Sequence, residues 1–250
     1  MKSPIILLLV FSLSNAAGNP LGTTDSLSVK EFDKVMVSNR INAVLIHGSR
    51  PAVKLVCTNV SPDKVNVVVS NGTLKIYLEH ARWTEKNQYL DDDGYDHSVP
   101  MYRGVNVTAY ITYTELNELE IRGHQTVSFE GQIKTDELKV KSYGEAEITI
   151  PSLTADKMDV VLYGTNHLEI NGGKVTSQKF RLMGSNEVEA SKLSAEEVSS
   201  TIYGDSKLRV NASSEFSLTA IGEPTVVWSG PAHLHRGLII GQPTIRTTGQ

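Results

Sequence analysis

Apolar and polar residues alternate along most of this chain, and glycine interrupts the alternation at near-regular intervals. Gly123, Gly144, Gly164, Gly184, Gly204, Gly222 and Gly241 follow one another by 21, 20, 20, 20, 18 and 19 residues. With each glycine as position zero, positions −4 and −2 are mostly apolar, as in Leu119 and Ile121, Val160 and Leu162, or Phe180 and Leu182. Positions +4 and +6 are mostly apolar too, as in Val127 and Phe129, Ile148 and Ile150, or Leu168 and Ile170. A period of two places alternate side chains on one face of an extended strand. Each unit therefore reads as two short strands with inward alternation. They are bent at a glycine because that residue enters positive φ without a Cβ clash. A period of about 20 residues is too short for a helix pair and fits one coil of a β-solenoid. The predicted fold is all-β, a β-solenoid resembling a right-handed parallel β-helix. Its six intervals at roughly 4.8 Å per coil give a stack on the order of 29 Å. An antiparallel sandwich with turns every roughly 8–12 residues is the competing arrangement. The tight recurrence of residue type at fixed positions favours coils.

Before the coils the pattern predicts a strand-and-hairpin region, with strand signals at 32–37, 41–46, 53–57, 65–69, 74–78 and 105–111. Asn71-Gly72 between two of these runs is a hairpin signal, since both residues tolerate positive φ. Residues 81–103 have neither period and carry Trp83, Tyr89, Tyr95 and the run Asp91-Asp92-Asp93-Gly94-Tyr95-Asp96. They read as a long surface loop or flap. Exposed end coils need blunting; the Asn71-Gly72 hairpin is placed to cap one end, and Pro231, Pro243 and residues 247–250 the other.

At the N-terminus, Lys2, an unbroken apolar run from Ile5 to Phe11, and the small residues around Ala16 and Ala17 read as a secretory signal. That run is far short of the roughly 20 residues that span a bilayer, so no transmembrane span is expected in the mature chain. The predicted order is a signal at 1–17, a polar leader at 18–30, and a β domain at 31–248. The domain divides into the strand region 31–113 and the coils 114–248. An exported chain with one cysteine has no intrachain disulfide to hold it. Cys57 alternates with Val53 and Leu55 and reads as a small core residue rather than a reactive thiol. Asn59, Asn71, Asn106 and Asn211 head Asn-x-Ser/Thr triplets, which matter only in a glycosylating host.

Over 250 residues, 40% are hydrophobic, which suits one large β domain or two small ones. Only 6% are aromatic, so Val, Ile, Leu and Thr carry the strand propensity. The formal charge of −4, dispersed in sign, gives no reason to expect a nucleic-acid partner.

Candidate chemistry is sparse. Position −1 holds Tyr143, Tyr163 and Tyr203, with Met183 between the last two. Stacked coils would align them in a column that could meet sugar rings or a partner strand, or simply pack on itself. Position +3 gives Glu147, His167, Glu187 and Lys207, and position +5 gives Thr149, Glu169, Glu189 and Arg209, which together read as a solvated charged face. A catalytic carboxylate pair, as in polysaccharide-cleaving β-helices, is the sharper alternative there. The aspartate run at 91–96 lacks the ligand spacing of a calcium loop. His233 and His235 share a strand face without an identifiable third ligand. No nucleophile elbow, phosphate loop or paired-cysteine motif is present. Neither catalytic residues nor a metal or other cofactor are expected.

Phe32-Asp33, Ile41-Asn42-Ala43-Val44, Asn71-Gly72-Thr73-Leu74-Lys75-Ile76 and the glycine units that follow resemble the auto-transporter adhesin head GIN domain family. The likeness covers roughly residues 31–235. Arg40 stands where that pattern has glycine before Ile-Asn. The resemblance implies an exported β-helical protein of the cell envelope, periplasmic, surface-bound or secreted, typical of Bacteroidetes. It supplies no catalytic residues. The function it suggests is a non-catalytic binding or adhesion-type module for a glycan or cell-surface protein. A polysaccharide-cleaving enzyme and a self-assembling scaffold stand as the alternatives.

Overall fold

The computed structural model describes residues 21–92 and 95–248. The signal predicted at 1–17 lies outside the described residues. Residues equally distant from successive glycines stand side by side, so Gly123 neighbours Gly144, Gly144 neighbours Gly164, and Gly164 neighbours Gly184. All coil-to-coil pairing is parallel. The predicted solenoid is therefore the observed fold. Each coil has a long strand ahead of its glycine, a second strand after it, and a short third side such as Gln132–Lys134 against the start of Ser152–Gly164. Among the described residues no helix is long and apolar enough to cross a membrane.

The N-terminal region joins the same sheet. Lys34–Val37 and Ile41–His47 form a coil of their own, paired in parallel with Glu118–Gly123 and Thr126–Glu130. Thr73–Leu78 and Asn106–Tyr113 pair in parallel beneath them. Nine parallel strands then line the long face, eight steps of roughly 4.8 Å or about 38 Å, longer than the glycine count alone implied. The stretch read as a leader is tied down as well. Leu21–Thr23 and Leu27–Ser28 pair antiparallel with Ala52–Thr58, and Leu55 N–H donates to Thr24 Oγ1 at 2.9 Å.

Residues 81–103 are not a structureless loop. Asn87–Asp92 and Tyr95–Pro100 pair antiparallel as a two-stranded sheet of their own. A hairpin outside the main sheet has no large core to cover, so it need not alternate apolar with polar residues. Its run of Asp, low in strand propensity, hid it further.

The two ends of the stack differ. Asn71 and Gly72 take φ of 52° and 72°, the paired positive values a tight hairpin needs. Their hairpin turns Val65–Ser70 back antiparallel along the last edge. On the neighbouring side Ala52–Thr58 does the same against Asn106–Tyr113. Leu74, Ile76, Leu78, Val53, Leu55 and Cys57 are consequently sealed from solvent. At the C-terminal end His233–Gly241 and Thr244–Thr247 form the last strands, and Leu234, Ile239 and Ile245 stay only partly buried. A register irregularity near Gly237 bends this edge, a feature that discourages further pairing.

Inside, the columns predicted at −4, −2, +4 and +6 are filled by Leu119, Val160, Phe180, Leu182, Ile148 and Leu168 among others, all without exposure. Position +2, just after the glycine, holds buried Asn166 and Asn186. Asn166 Nδ2 donates to Asn186 Oδ1 at 2.9 Å, Asn186 Nδ2 to Ser206 Oγ at 3.4 Å, and Ser142 Oγ to Asn166 Oδ1 at 2.7 Å. This amide ladder satisfies polar groups that the tight corner would otherwise leave buried and unpaired. Several buried polar atoms stay unpaired among the described residues, and Gln178 is the clearest case. It is fully buried in an interior column, and neither amide atom has a partner among the described residues, at a cost of roughly 1–3 kcal/mol.

The corner glycines are fixed twice over. Gly164 has φ of 104°, and a Cβ there would sit 2.3 Å from the carbonyl oxygen of Gly144 in the coil below. Gly184 repeats the contact on Gly164. Gly164→Ala is therefore expected to destabilise the fold by more than about 2 kcal/mol. Thr165→Ala beside it, at an exposed site, should stay within about 0.5 kcal/mol; urea denaturation of both variants compares them. Burial pushes the Cys57 thiol up to about 11. It should resist a thiol reagent at pH 8 in the folded chain and react fully in denaturant, as read by mass spectrometry.

Candidate functional site

Tyr143, Tyr163, Met183, Tyr203, Ile221 and Ile240 lie in one register column on the outer surface of the long face. Inward alternation at −4 and −2 forces position −1 outward, and the parallel register aligns it from coil to coil. The Tyr143 and Tyr163 rings stack at 5.4 Å between centroids and 17° between planes. Tyr163 and Tyr203 remain 40% and 44% exposed, enough to meet a ligand. Of the tyrosines proposed from the sequence, the structure brings two into contact. Met183 separates the third, Tyr203, from Tyr163. Stacked rings turn their faces to one another, so edges and hydroxyls are what the column offers to a ligand. None of the three hydroxyls has a hydrogen-bond partner among the described residues.

The column continues into Arg122, itself a repeat position, and there meets residues from outside the repeat. Arg122, at position −1 of the first glycine unit, lies 4.8 Å from the Tyr143 ring centroid and 4.5 Å from that of Trp83. Arg82 lies 5.0 Å from the Trp83 ring and 5.6 Å from that of Tyr77. Cations over aromatic faces each contribute about 0.5–1 kcal/mol at exposed sites. Arg122 was legible as a member of its column. Trp83 was not, because it arrives from the segment without a period.

That segment is held by Glu85, whose side chain is 7% exposed. It accepts from Asn39 Nδ2 and Arg40 Nε at 3.0 Å each, and from the Tyr102 backbone N–H at 2.6 Å. Ser38 Oγ also donates to the Arg82 carbonyl at 2.5 Å. Arg40 stands at this coil's corner with φ of 69°. A side chain there is strained, and the bridge to Glu85 holds the departure from glycine in place. Beside the strip, Glu118 accepts from Lys141 at 2.7 Å. Burial pulls the Lys141 ammonium pKa down, but the Glu118 hydrogen bond and charge outweigh it and leave it above its ordinary value.

Across the glycine corner runs an open polar groove of about 620 Å³, lined by Arg40, His124, Glu145, Glu147, His167 and Glu187 among others. His124 Nδ1 is 3.0 Å from Glu145, with both side chains well exposed at 80% and 64%. Arg209 reaches Glu189 at 3.3 Å. At such exposure each pair contributes roughly 0–1 kcal/mol, in keeping with a solvated face. His233 and His235 meet edge to face at 4.7 Å. Among the described residues no three His, Cys, Asp or Glu side chains converge to hold a metal ion. The middle of the aspartate run, Asp93-Gly94, lies outside the described residues.

A parallel β-solenoid displaying an ordered strip on one face defines the class. The chain belongs to the family described as "Putative auto-transporter adhesin, head GIN domain", whose pattern matches residues 31–232. A "putative adhesin" from Bacteroides fragilis is 20% identical, with a TM-score of 0.70 over 92% of this chain and 98% of that one. A "putative adhesin" from Parabacteroides distasonis is 16% identical, with a TM-score of 0.68 over 91% of this chain and 97% of its own. A protein from the same species described as a "putative lipid binding protein" is 16% identical, with a TM-score of 0.65 over 93% and 98%. At these identities the likeness is one of fold. A search of curated proteins finds no match.

If the tyrosines are a surface strip on a scaffold that stands without them, Tyr163→Ala should cost only about 0.5–1.5 kcal/mol. Leu162→Ala, its fully buried neighbour, should cost about 2–5 kcal/mol. Chemical denaturation of the two single variants provides the comparison.

Proposed function

We propose that this chain is an exported, non-catalytic, adhesion-type module of the cell envelope that holds a glycan along the Tyr143–Tyr163–Tyr203 column. The observation that carries the reading is the outward column itself, in which three tyrosines, interrupted by Met183, present hydroxyls that have no partner among the described residues along a rigid sheet. A polymer laid along the stack can meet Tyr143, Tyr163 and, across Met183, Tyr203, so weak contacts add without new loops having to order. Family membership among adhesin-described proteins supports a surface-binding role. The acids and imidazoles of the corner groove are solvated rather than enclosed, which suits a binder better than a polysaccharide-cleaving enzyme. Addition of copies end to end is disfavoured at the N-terminal end, where antiparallel strands occupy both edges.

The test is a glycan and cell-envelope array probed with the mature protein beside a Tyr143→Ala/Tyr163→Ala/Tyr203→Ala variant. Wild type should bind a subset of glycans that the variant loses by at least about tenfold in affinity. Equal binding by both proteins removes the column from the site. Cleavage of any polysaccharide on the array overturns the non-catalytic assignment.

A further inference from the structure

We infer that the N-terminal end of the strip is a receptor for an anionic group, so that the glycan it selects carries carboxylate or sulfate. The inference rests on the glycan reading above for the polymer, though not for the anion. A cavity of about 190 Å³ opens on the outer face beside Trp83, floored by buried Met36 and lined by Lys34, Lys75, Arg82, Arg122, Glu118 and Glu120. Both acids are already engaged, Glu118 with Lys141 at 2.7 Å and Glu120 with Arg122 at 2.5 Å. Lys34, Lys75 and Arg82 have no carboxylate within 4.0 Å among the described residues. Four cations against two acids leave an excess of positive charge, in a chain whose formal charge is −4. Generic attraction of polyanions is therefore not expected, and the excess is local.

Arg82 is the most telling member. Its guanidinium is held beside the Tyr77 and Trp83 rings, and its Nε is buried without a hydrogen-bond partner among the described residues. A buried donor left unpaired is costly, and a planar guanidinium forks onto carboxylate, sulfate or phosphate oxygens. The register shows why cations gather here. Lys34, Met36 and Ser38 alternate outward on one strand, next to Thr73, Lys75 and Tyr77 on the next. Met36 and Ser38 are buried. The Arg82-Trp83 segment crosses above, pinned through Ser38. The cavity has room for a carboxylate- or sulfate-bearing substituent beside these cations. Arg122, in contact with both Trp83 and Tyr143, joins it to the tyrosine column, along which the rest of the polymer would lie.

The test is calorimetric titration of the mature protein with hexagalacturonate, with its methyl ester (the same backbone with the charge masked), and with inorganic sulfate alone. Trp83 fluorescence is followed in parallel, with Trp83→Phe as the control. Wild type should bind the acid at least about tenfold tighter than the ester. Lys34→Gln/Lys75→Gln should bring the ratio of the two affinities towards one, and added salt should do the same. A sulfate-binding site that perturbs Trp83, with no binding of either polymer, would keep the anion receptor and remove polygalacturonate as its polymer. Equal affinity of wild type for acid and ester would overturn the receptor while leaving the strip. An unchanged ratio in the double variant would overturn it as well, as would silence of all three probes, while the strip stands or falls on the glycan array.

Discussion

The parallel register between coils is the constraint on which the rest of this structure depends. Because every coil hydrogen-bonds to the next with like positions side by side, any residue type is repeated as a column or breaks one. The glycine column shows how strict this is. Each corner takes a positive φ, and from Gly144 onward each glycine packs where a Cβ would collide with the carbonyl of the glycine one coil below. The requirement comes from the stacking as much as from the bend. The ladder of Asn166, Asn186 and Ser206 is the polar counterpart, in which one coil's donor is satisfied by the next coil's acceptor.

The same register builds the surface. Once −4 and −2 face inward, −1 faces out, and Tyr143 finds Tyr163, Tyr163 finds Met183 and Tyr203 finds Ile221 in the next coil. Ring stacking at 5.4 Å rigidifies the column and determines what it can offer, since faces spent on neighbours leave edges and hydroxyls for a ligand. Such a surface is pre-organised. At Arg122, in the first glycine unit, the column meets side chains brought from elsewhere in the chain, and there its chemistry changes from aromatic to cationic.

Glu85 makes that change possible. One largely buried carboxylate receives Asn39, Arg40 and the Tyr102 amide, and so fixes a non-glycine corner, the root of the 87–100 hairpin and the neighbourhood of Trp83 together. Removing a buried acid from three donors leaves each of them unpaired. This is the point where the non-repetitive part of the chain is fastened to the repetitive part. The sealed N-terminal end and the less covered C-terminal end follow from the same asymmetry, since only the N-terminal region has strands free to run antiparallel.

Sequence alone determined the coil. Glycine spacing, inward alternation and the Asn71-Gly72 turn are local signals, each set by φ preference or by a period of two, and each is found where it was read. It also placed Tyr143, Tyr163 and Tyr203 in one column, because register follows from the repeat, while their outward direction was read only from the structure. The buried asparagines two residues after Gly164 and Gly184 were equally periodic, and went unread because a polar residue in a turn looks solvated until stacking encloses it. What only the tertiary structure decided involves residues far apart in sequence. Lys34–Val37 stacks on Glu118–Gly123, a hairpin stands inside 81–103, and Glu85 reaches back to Arg40. Pairings of that kind leave no period, because they depend on which surfaces remain uncovered once the repeating coils have formed.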